Sequence, residues 1–263
     1  DLNGYIKIQM LLSNRGVPKP EPEIDFSKWG NIERQKLTKI QRITGQRLQS
    51  AWQSIPHVTQ FDEADITELS QYRKNLNEKN TKKKTKLTFL PFLMKAISKV
   101  LRERPVFNSS LDSQGENLII KNYYNIGVAV DTPTGLVVPV VSGVDKKNIY
   151  ELSEELIDIS QRARNKKLKP KEMTGGTFTI SSLGGVGGKF FTPIINPPEV
   201  AILGVSKSWW ESIYDQKTKK QALKYIMPFS LSYDHRVIDG VAGAAFTKRF
   251  SNLLSDLSTF QEK

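Results

Sequence analysis

The chain has 263 residues, 38% of them hydrophobic, which suits one or two globular domains with an ordinary core. It carries no cysteine and only two histidines, far apart, so disulfides, thiolate nucleophiles and cysteine metal sites are excluded and a protein zinc site is not expected. The net charge of +12 invites nucleic-acid binding, but lysines are spread thinly rather than interleaved with aromatics, and no apolar run approaches the ~20 residues of a membrane helix.

Residues 1–12 precede prolines at 18, 20 and 22 set among charges, a spacing that predicts an extended, semi-rigid linker over 15–25. Leu37, Ile40, Ile43, Leu48, Trp52 and Ile55 then keep helical spacing until Pro56, predicting an amphipathic helix packed on a core. His57 to Ile66 reads as a strand, Leu69, Tyr72 and Leu76 mark a second helix, and Leu87 to Arg104 a third that stops before Pro105. The lysine run from Lys79 to Lys86 falls between these two helices and reads as a solvated loop. From Asn117 to Val141 the chain is β-rich: Ile119-Ile120, Ile126 to Val130 and Leu136 to Val141 are separated by Asn, Asp, Pro and Gly, which predicts hairpins or a meander. Ile149 to Ala163 is a further helix, Thr177 to Ser181 and Val200 to Val205 are strands, and Leu231 to Tyr233 ends another. Val241 to Leu257 is the closing helix. The mixture predicts an α/β sandwich with one main sheet and leaves the topology open.

Three places carry candidate chemistry. His235 stands between Asp234 and Asp239 in Ser-Tyr-Asp-His-Arg-Val-Ile-Asp-Gly, residues 232–240. Its unperturbed pKa of ~6.5 suits a base that takes and returns a proton, although a strand-end histidine can equally be hydrogen-bonded in place. Asp239 is close enough to orient His235 or to hold Arg236, whereas Asp234 and Arg236 read as a pair that fixes the loop. Ser181 and Ser182 sit where a strand runs into a glycine-rich turn; either is a candidate hydroxyl donor, or caps its own backbone, and pleated neighbours cannot both face one channel. Glycines 184, 185, 187 and 188 match no phosphate loop and read as a mobile turn. His57, after Ile-Pro at a strand start, reads as packing.

The pattern Asp-His-Arg-x-x-Asp-Gly resembles the active-site signature of the acyltransferase (E2) components of 2-oxo acid dehydrogenase complexes. The likeness runs from about residue 24 to 260 and includes Ile-Pro-His-Val-Thr (55–59), Phe-Asn-Ser-Ser-Leu (107–111), Asn-Ile-Gly-Val-Ala-Val-Asp-Thr-Pro (125–133), Gly-Leu-Val-Val-Pro-Val (135–140) and Phe-Thr-Ile-Ser-Ser-Leu-Gly (178–184). Segments 38–60 and 107–141 are most similar to the pyruvate type; succinyl and branched-chain types are the alternatives, and a non-catalytic scaffold is the rival of another class.

The resemblance implies a chloramphenicol-acetyltransferase-like two-layer sandwich with a mixed main sheet, assembled as trimers with active sites between subunits and built into a cubic or dodecahedral core. It implies coenzyme A and lipoamide as substrates, no metal, and neither nucleic acid nor membrane as partner. His235 becomes the general base, Ser181 the oxyanion donor and Asp239 a supporting residue that is Asn in some members. A coenzyme A thiol, with a pKa near the ~8.5 of free cysteine, is only slightly ionised at neutral pH and needs such a base. Residues 26–263 become the catalytic domain, and 1–14 resemble the end of a peripheral-subunit-binding domain. No lipoyl-attachment hairpin is found, since Asp145-Lys146-Lys147 leads into a helical pattern; lipoyl and subunit-binding modules, contacting the E1 and E3 components, are expected upstream. The residues that grip the coenzyme phosphates stay unassigned. The expected location is the bacterial cytoplasm, or an organellar matrix if a targeting segment precedes the chain.

Overall fold

The structure is a computed structural model that describes residues 24–79, 85–215 and 219–261. The predicted domain tail and most of the linker lie outside these residues, as does the middle of the lysine run. The chain divides at Leu37 and Thr38. Before that boundary, Phe26–Lys28 forms one 3-10 turn capped by Asp25, and Ile24, Phe26, Trp29 and Ile32 are exposed.

Helix α1 (Lys39–Ser54) opens the larger unit. Its start is fixed by a capping box: Gln41 N–H donates to Thr38 Oγ1 at 3.1 Å, and Thr38 N–H donates to Gln41 Oε1 at 2.8 Å. Its apolar stripe does not do what its periodicity predicts. Only Ala51 is buried, while Ile43, Leu48 and Trp52 are exposed. Helices α2 (Thr67–Lys79), α3 (Leu90–Glu103), α4 (Ile149–Arg164) and α5 (Gly240–Ser255) fall where their hydrophobic periods place them.

The main sheet joins β1 (His57–Asp65), β4 (Ile126–Val128), β5 (Val140–Val141), β6 (Phe178–Ser182), β7 (Ala201–Val205), β8 (Trp209–Asp215) and β9 (Lys220–Asp234). Its order is β1-β9-β7-β6-β4-β5, with β8 hairpinned onto the outer half of β9. Strands β4, β6 and β7 are parallel and the remaining pairs antiparallel, so the sheet is mixed. Two further strands, β2 (Ser109–Leu111) and β3 (Leu118–Ile120), pair as a separate hairpin. The β-rich stretch therefore splits between two sheets, and of Leu136 to Val141 only β5 and one bridge, Val130 to Val137, pair. No helix among the described residues is long and apolar enough to cross a membrane.

Alternation along the strands gives the sheet two unlike faces. Phe178 and Ile180, Ala201, Leu203 and Val205, and Phe229, Leu231 and Tyr233 are buried in one core with α3, α4 and α5. Phe178 stacks on Phe246 of α5 at 5.8 Å and Phe229 meets Phe250 edge-on at 5.0 Å. The intervening residues, among them Thr59, Ser232, Ser230, Gly204, Thr179 and Ser181, form a polar stripe on the other face. A strap, residues 183–200, crosses that stripe. Ser230 Oγ donates to Phe191 O at 2.6 Å, Phe190 packs edge-on to Phe61 at 5.4 Å, and Ile195 joins Ile55 and Ile202 in a small second core. The close approach needs Gly204, because a Cβ there would lie 2.7 Å from the Phe191 ring and 2.7 Å from Ser230 Oγ.

Candidate active site

Strand β9 ends at Asp234 and delivers His235 into the turn that leads to α5. The backbone at His235 is held to the sheet edge by its N–H, which donates to Pro56 O at 3.0 Å. Its ring is exposed, tilted at 6.1 Å from the Tyr233 ring, and makes no hydrogen bond among the described residues. The imidazole is thus presented rather than consumed. The neighbouring charges anchor it: buried Asp234 accepts from Arg236 N–H at 3.0 Å and from its Nε and Nη2 at 3.0 and 2.7 Å. Hydrogen bonding to that carboxylate raises the already high pKa of the guanidinium.

Asp239 takes a different position from either one expected for it. It is the N-cap of α5, with Oδ1 accepting from Ala242 N–H at 2.7 Å, and Arg236 is held by Asp234 instead. No hydrogen bond joins Asp239 to His235 among the described residues. Its charge, together with burial as the larger cause, pushes the Tyr233 phenol above the usual tyrosine range. Tyr233 Oη and Gln60 Oε1 are buried beside this helix start without hydrogen-bond partners among the described residues.

His57 is engaged on both sides. Its Nδ1 bonds Ile55 O at 2.8 Å and its Nε2 accepts from Ile195 N–H at 3.0 Å, while the ring stacks on Trp52 at 5.3 Å. Those two bonds select the tautomer with hydrogen on Nδ1 and leave no lone pair for a substrate proton. This histidine ties the strap to the sheet.

Ser181 is half-buried on the polar stripe, in register with Gly204 and, through it, with Ser230. Ser182 is exposed and points to the opposite side of the strand. Neither hydroxyl bonds its own backbone among the described residues. Beyond Ser182, Leu183 O accepts from Val186 N–H and Gly187 N–H, closing the glycine turn, in which Gly188 has φ +83°.

Ser181 and His235 do not meet within one chain. His235 is five residues beyond Ser230 and two strands across from Ser181, which is about 16 Å along the sheet and about 10 Å across it at ordinary strand spacings. No group of three or more His, Asp or Glu among the described residues could hold a metal ion.

One buried titratable group beside β6 gave little sign of itself in the sequence. Glu199, at the strap's end, is buried, and that burial pushes its carboxyl up to about 7 against the opposing influence of Thr179, Asn196 and Lys121. The only signal was an acidic residue lodged between Pro197-Pro198 and the apolar run of β7.

Residues 30–261 match the family of 2-oxoacid dehydrogenases acyltransferase, catalytic domain. The dihydrolipoyllysine-residue acetyltransferase component of the pyruvate dehydrogenase complex from Cupriavidus necator is 51% identical over 237 residues, 90% of this chain and 42% of that protein; the chain thus spans less than half of its relative. The cubic core of a pyruvate dehydrogenase multienzyme complex superposes with a TM-score of 0.89 at 48% identity, over 93% of this chain and 100% of the other. Dihydrolipoamide acetyltransferase from Azotobacter vinelandii does so with the same score at 47% identity and the same coverage. Its structure belongs to a study of one serine, one histidine and one asparagine in the catalytic mechanism of that enzyme, the histidine and asparagine four positions apart. A chloramphenicol acetyltransferase, 14% identical with a TM-score of 0.52 over 80% of this chain and 94% of its own, has the same fold.

Proposed function

The chain belongs to the catalytic-domain family of the 2-oxoacid dehydrogenase acyltransferases, and on that premise we propose that it moves acetyl groups between dihydrolipoamide and coenzyme A at the core of a pyruvate dehydrogenase complex. The carrying observation is the His235 imidazole: it is exposed and, among the described residues, unbonded at the end of β9, while the other histidine is committed on both nitrogens. His235 takes the coenzyme A thiol proton, and the thiolate adds to the acetyl carbonyl of S-acetyldihydrolipoamide. The tetrahedral oxyanion accepts a hydrogen bond from Ser181, a contribution of about 2.7–4 kcal/mol for one preorganised donor. Collapse breaks the bond to the lipoyl sulfur, which leaves as a thiol with the proton returned by the imidazolium. Asp239 supports the site by capping α5 and so fixing the turn that carries His235; its spacing from His235 equals that of the histidine and asparagine in the Azotobacter enzyme.

The roughly 19 Å between His235 and Ser181 in one chain supports a site shared by two chains. His235 of one chain then works with Ser181 of the next. The exposed apolar stripe of α1 and the exposed Leu118, Ile119 and Ile120 of the β2–β3 hairpin supply surface for such contacts. We infer trimers assembled into a larger core, a reading supported by the likeness to a cubic core, with the lipoyl group and the E1 and E3 components engaged through upstream domains. The bacterial relatives support a cytoplasmic site of action. Transfer from acetyl-, succinyl- and isobutyryl-coenzyme A to dihydrolipoamide tests the proposal: acetyl should be preferred by at least about tenfold, a margin of roughly 1.4 kcal/mol in the transition state. Equal or faster succinyl transfer would refute it.

A further inference from the structure

Glu199 is not used by the proposed chemistry, and its surroundings are built for it. Asn196 Nδ2 donates to Glu199 Oε1 at 3.3 Å, and Glu199 N–H donates to Asn196 O at 3.1 Å, closing the strap's last turn. A Cβ at Gly176, just before β6, would lie 2.8 Å from Glu199 Oε1, so the carboxyl occupies space that any other residue there would fill. The hydroxyl of Thr179 acts on the same carboxyl from β6. Thr179 Oγ1 and Glu199 Oε2 are both buried and, among the described residues, neither makes a hydrogen bond of ordinary geometry. Thr179 lies two residues from Ser181 on the same face of β6.

We propose that Glu199 is a positioning residue which ties Thr179 of β6 to Asn196 of the strap and so sets where the Ser181 hydroxyl stands. A hydrogen bond donated by Thr179 Oγ1 to Glu199 Oε2 would satisfy two buried groups that otherwise each cost free energy. Other charged groups near Glu199 are Lys121, whose own pKa is lowered by burial, and Asp112, Asp234 and Arg236 across a cavity of about 420 Å³ that Glu199 borders. Asp234 and Arg236 neutralise each other, so Lys121 is the charge that acts on Glu199.

This inference rests on Ser181 being the oxyanion donor, and its test separates the two claims. In the assembled enzyme, Glu199→Ala should lower kcat roughly tenfold to a hundredfold with little change in KM, the scale of a slightly misplaced catalytic group. Thr179→Val should do the same, and provides the measurement if Glu199→Ala fails to assemble. Glu199→Gln, isosteric and permanently neutral, should keep kcat within about threefold of the parent, far from the loss a misplaced group causes. In a Ser181→Ala background, Glu199→Ala and Thr179→Val should each add less than about twofold, because groups acting as one unit are non-additive. If Ser181→Ala is crippling but the second change multiplies the loss in full, Glu199 does not act through Ser181 and the proposal falls alone. A mild Ser181→Ala would remove the premise and the proposal together.

Discussion

The two histidines differ in what their ring nitrogens touch, and that difference predicts opposite consequences of losing them. His235→Ala should leave the assembled particle intact and lower kcat by on the order of 10²- to 10⁴-fold, the loss expected of a general base. His57→Ala removes the acceptor of Ile195 N–H and the donor to Ile55 O, so it should destabilise by about 1–3 kcal/mol in denaturant unfolding with much less effect on kcat. A crippling His57→Ala beside a mild His235→Ala would reverse the assignment. For the serines, Ser181→Ala should slow turnover about 10²- to 10³-fold at nearly constant KM, since an oxyanion donor acts in the transition state, and Ser182→Ala should be mild. Equal small effects would point to a backbone N–H as the donor. His235 and the serine pair were visible in the sequence because their motifs are compact. Glu199 was not, because its distinguishing property is burial, and of the groups that act on it Thr179 and Lys121 come from other parts of the chain.

Among the elements, helices α2 to α5 and strand β6 were legible because their apolar residues repeat at the period of the structure they form, and β7 because it is a short continuous apolar run buried throughout. Strand β9 was visible only at its inner end. Its outer half carries Lys220, Gln221 and Lys224 and pairs with β8, whose Trp210, Ile213 and Tyr214 are exposed, so no alternation between core and solvent marks either strand. Helix α1 read as a core helix because periodicity reports an apolar face and not what covers it. The short strand β2 fell below the length at which a pattern exists, β5 takes up only the last two residues of the stretch Leu136 to Val141 that read as β, and the sheet order had no local signal at all. The strap adds a consequence at this scale: with Phe191 seated over Gly204, Gly204→Ala should cost about 1–3 kcal/mol by overpacking. Thermal unfolding would measure it. Because the strap shelters the stripe that contains Ser181, kcat should fall further than stability alone explains, and an unchanged melting temperature would show that the Phe191 ring yields freely.

For the whole molecule, the separation of His235 from Ser181 predicts complementation between defective chains. When His235→Ala and Ser181→Ala proteins are unfolded together and reassembled, about a quarter of the interfaces should join an intact histidine to an intact serine, as random exchange at a closed symmetric boundary requires. Recovered activity near that fraction supports the shared site. A mixture no more active than its parents, in particles shown by electron microscopy to be mixed, would refute it.

The same separation has a genetic reading. A gene copy encoding both substitutions, expressed at the level of the intact copy, would contribute chains that spoil boundaries on two sides rather than one. Only about a quarter of the boundaries would pair two intact chains, against the half expected if every chain carried its own complete site. A change at either residue alone would halve the activity as a simple dose effect, whereas the double change would be dominant over the intact copy. The distance between two side chains in one sheet thus sets whether an inherited defect is tolerated or spreads to its healthy neighbours.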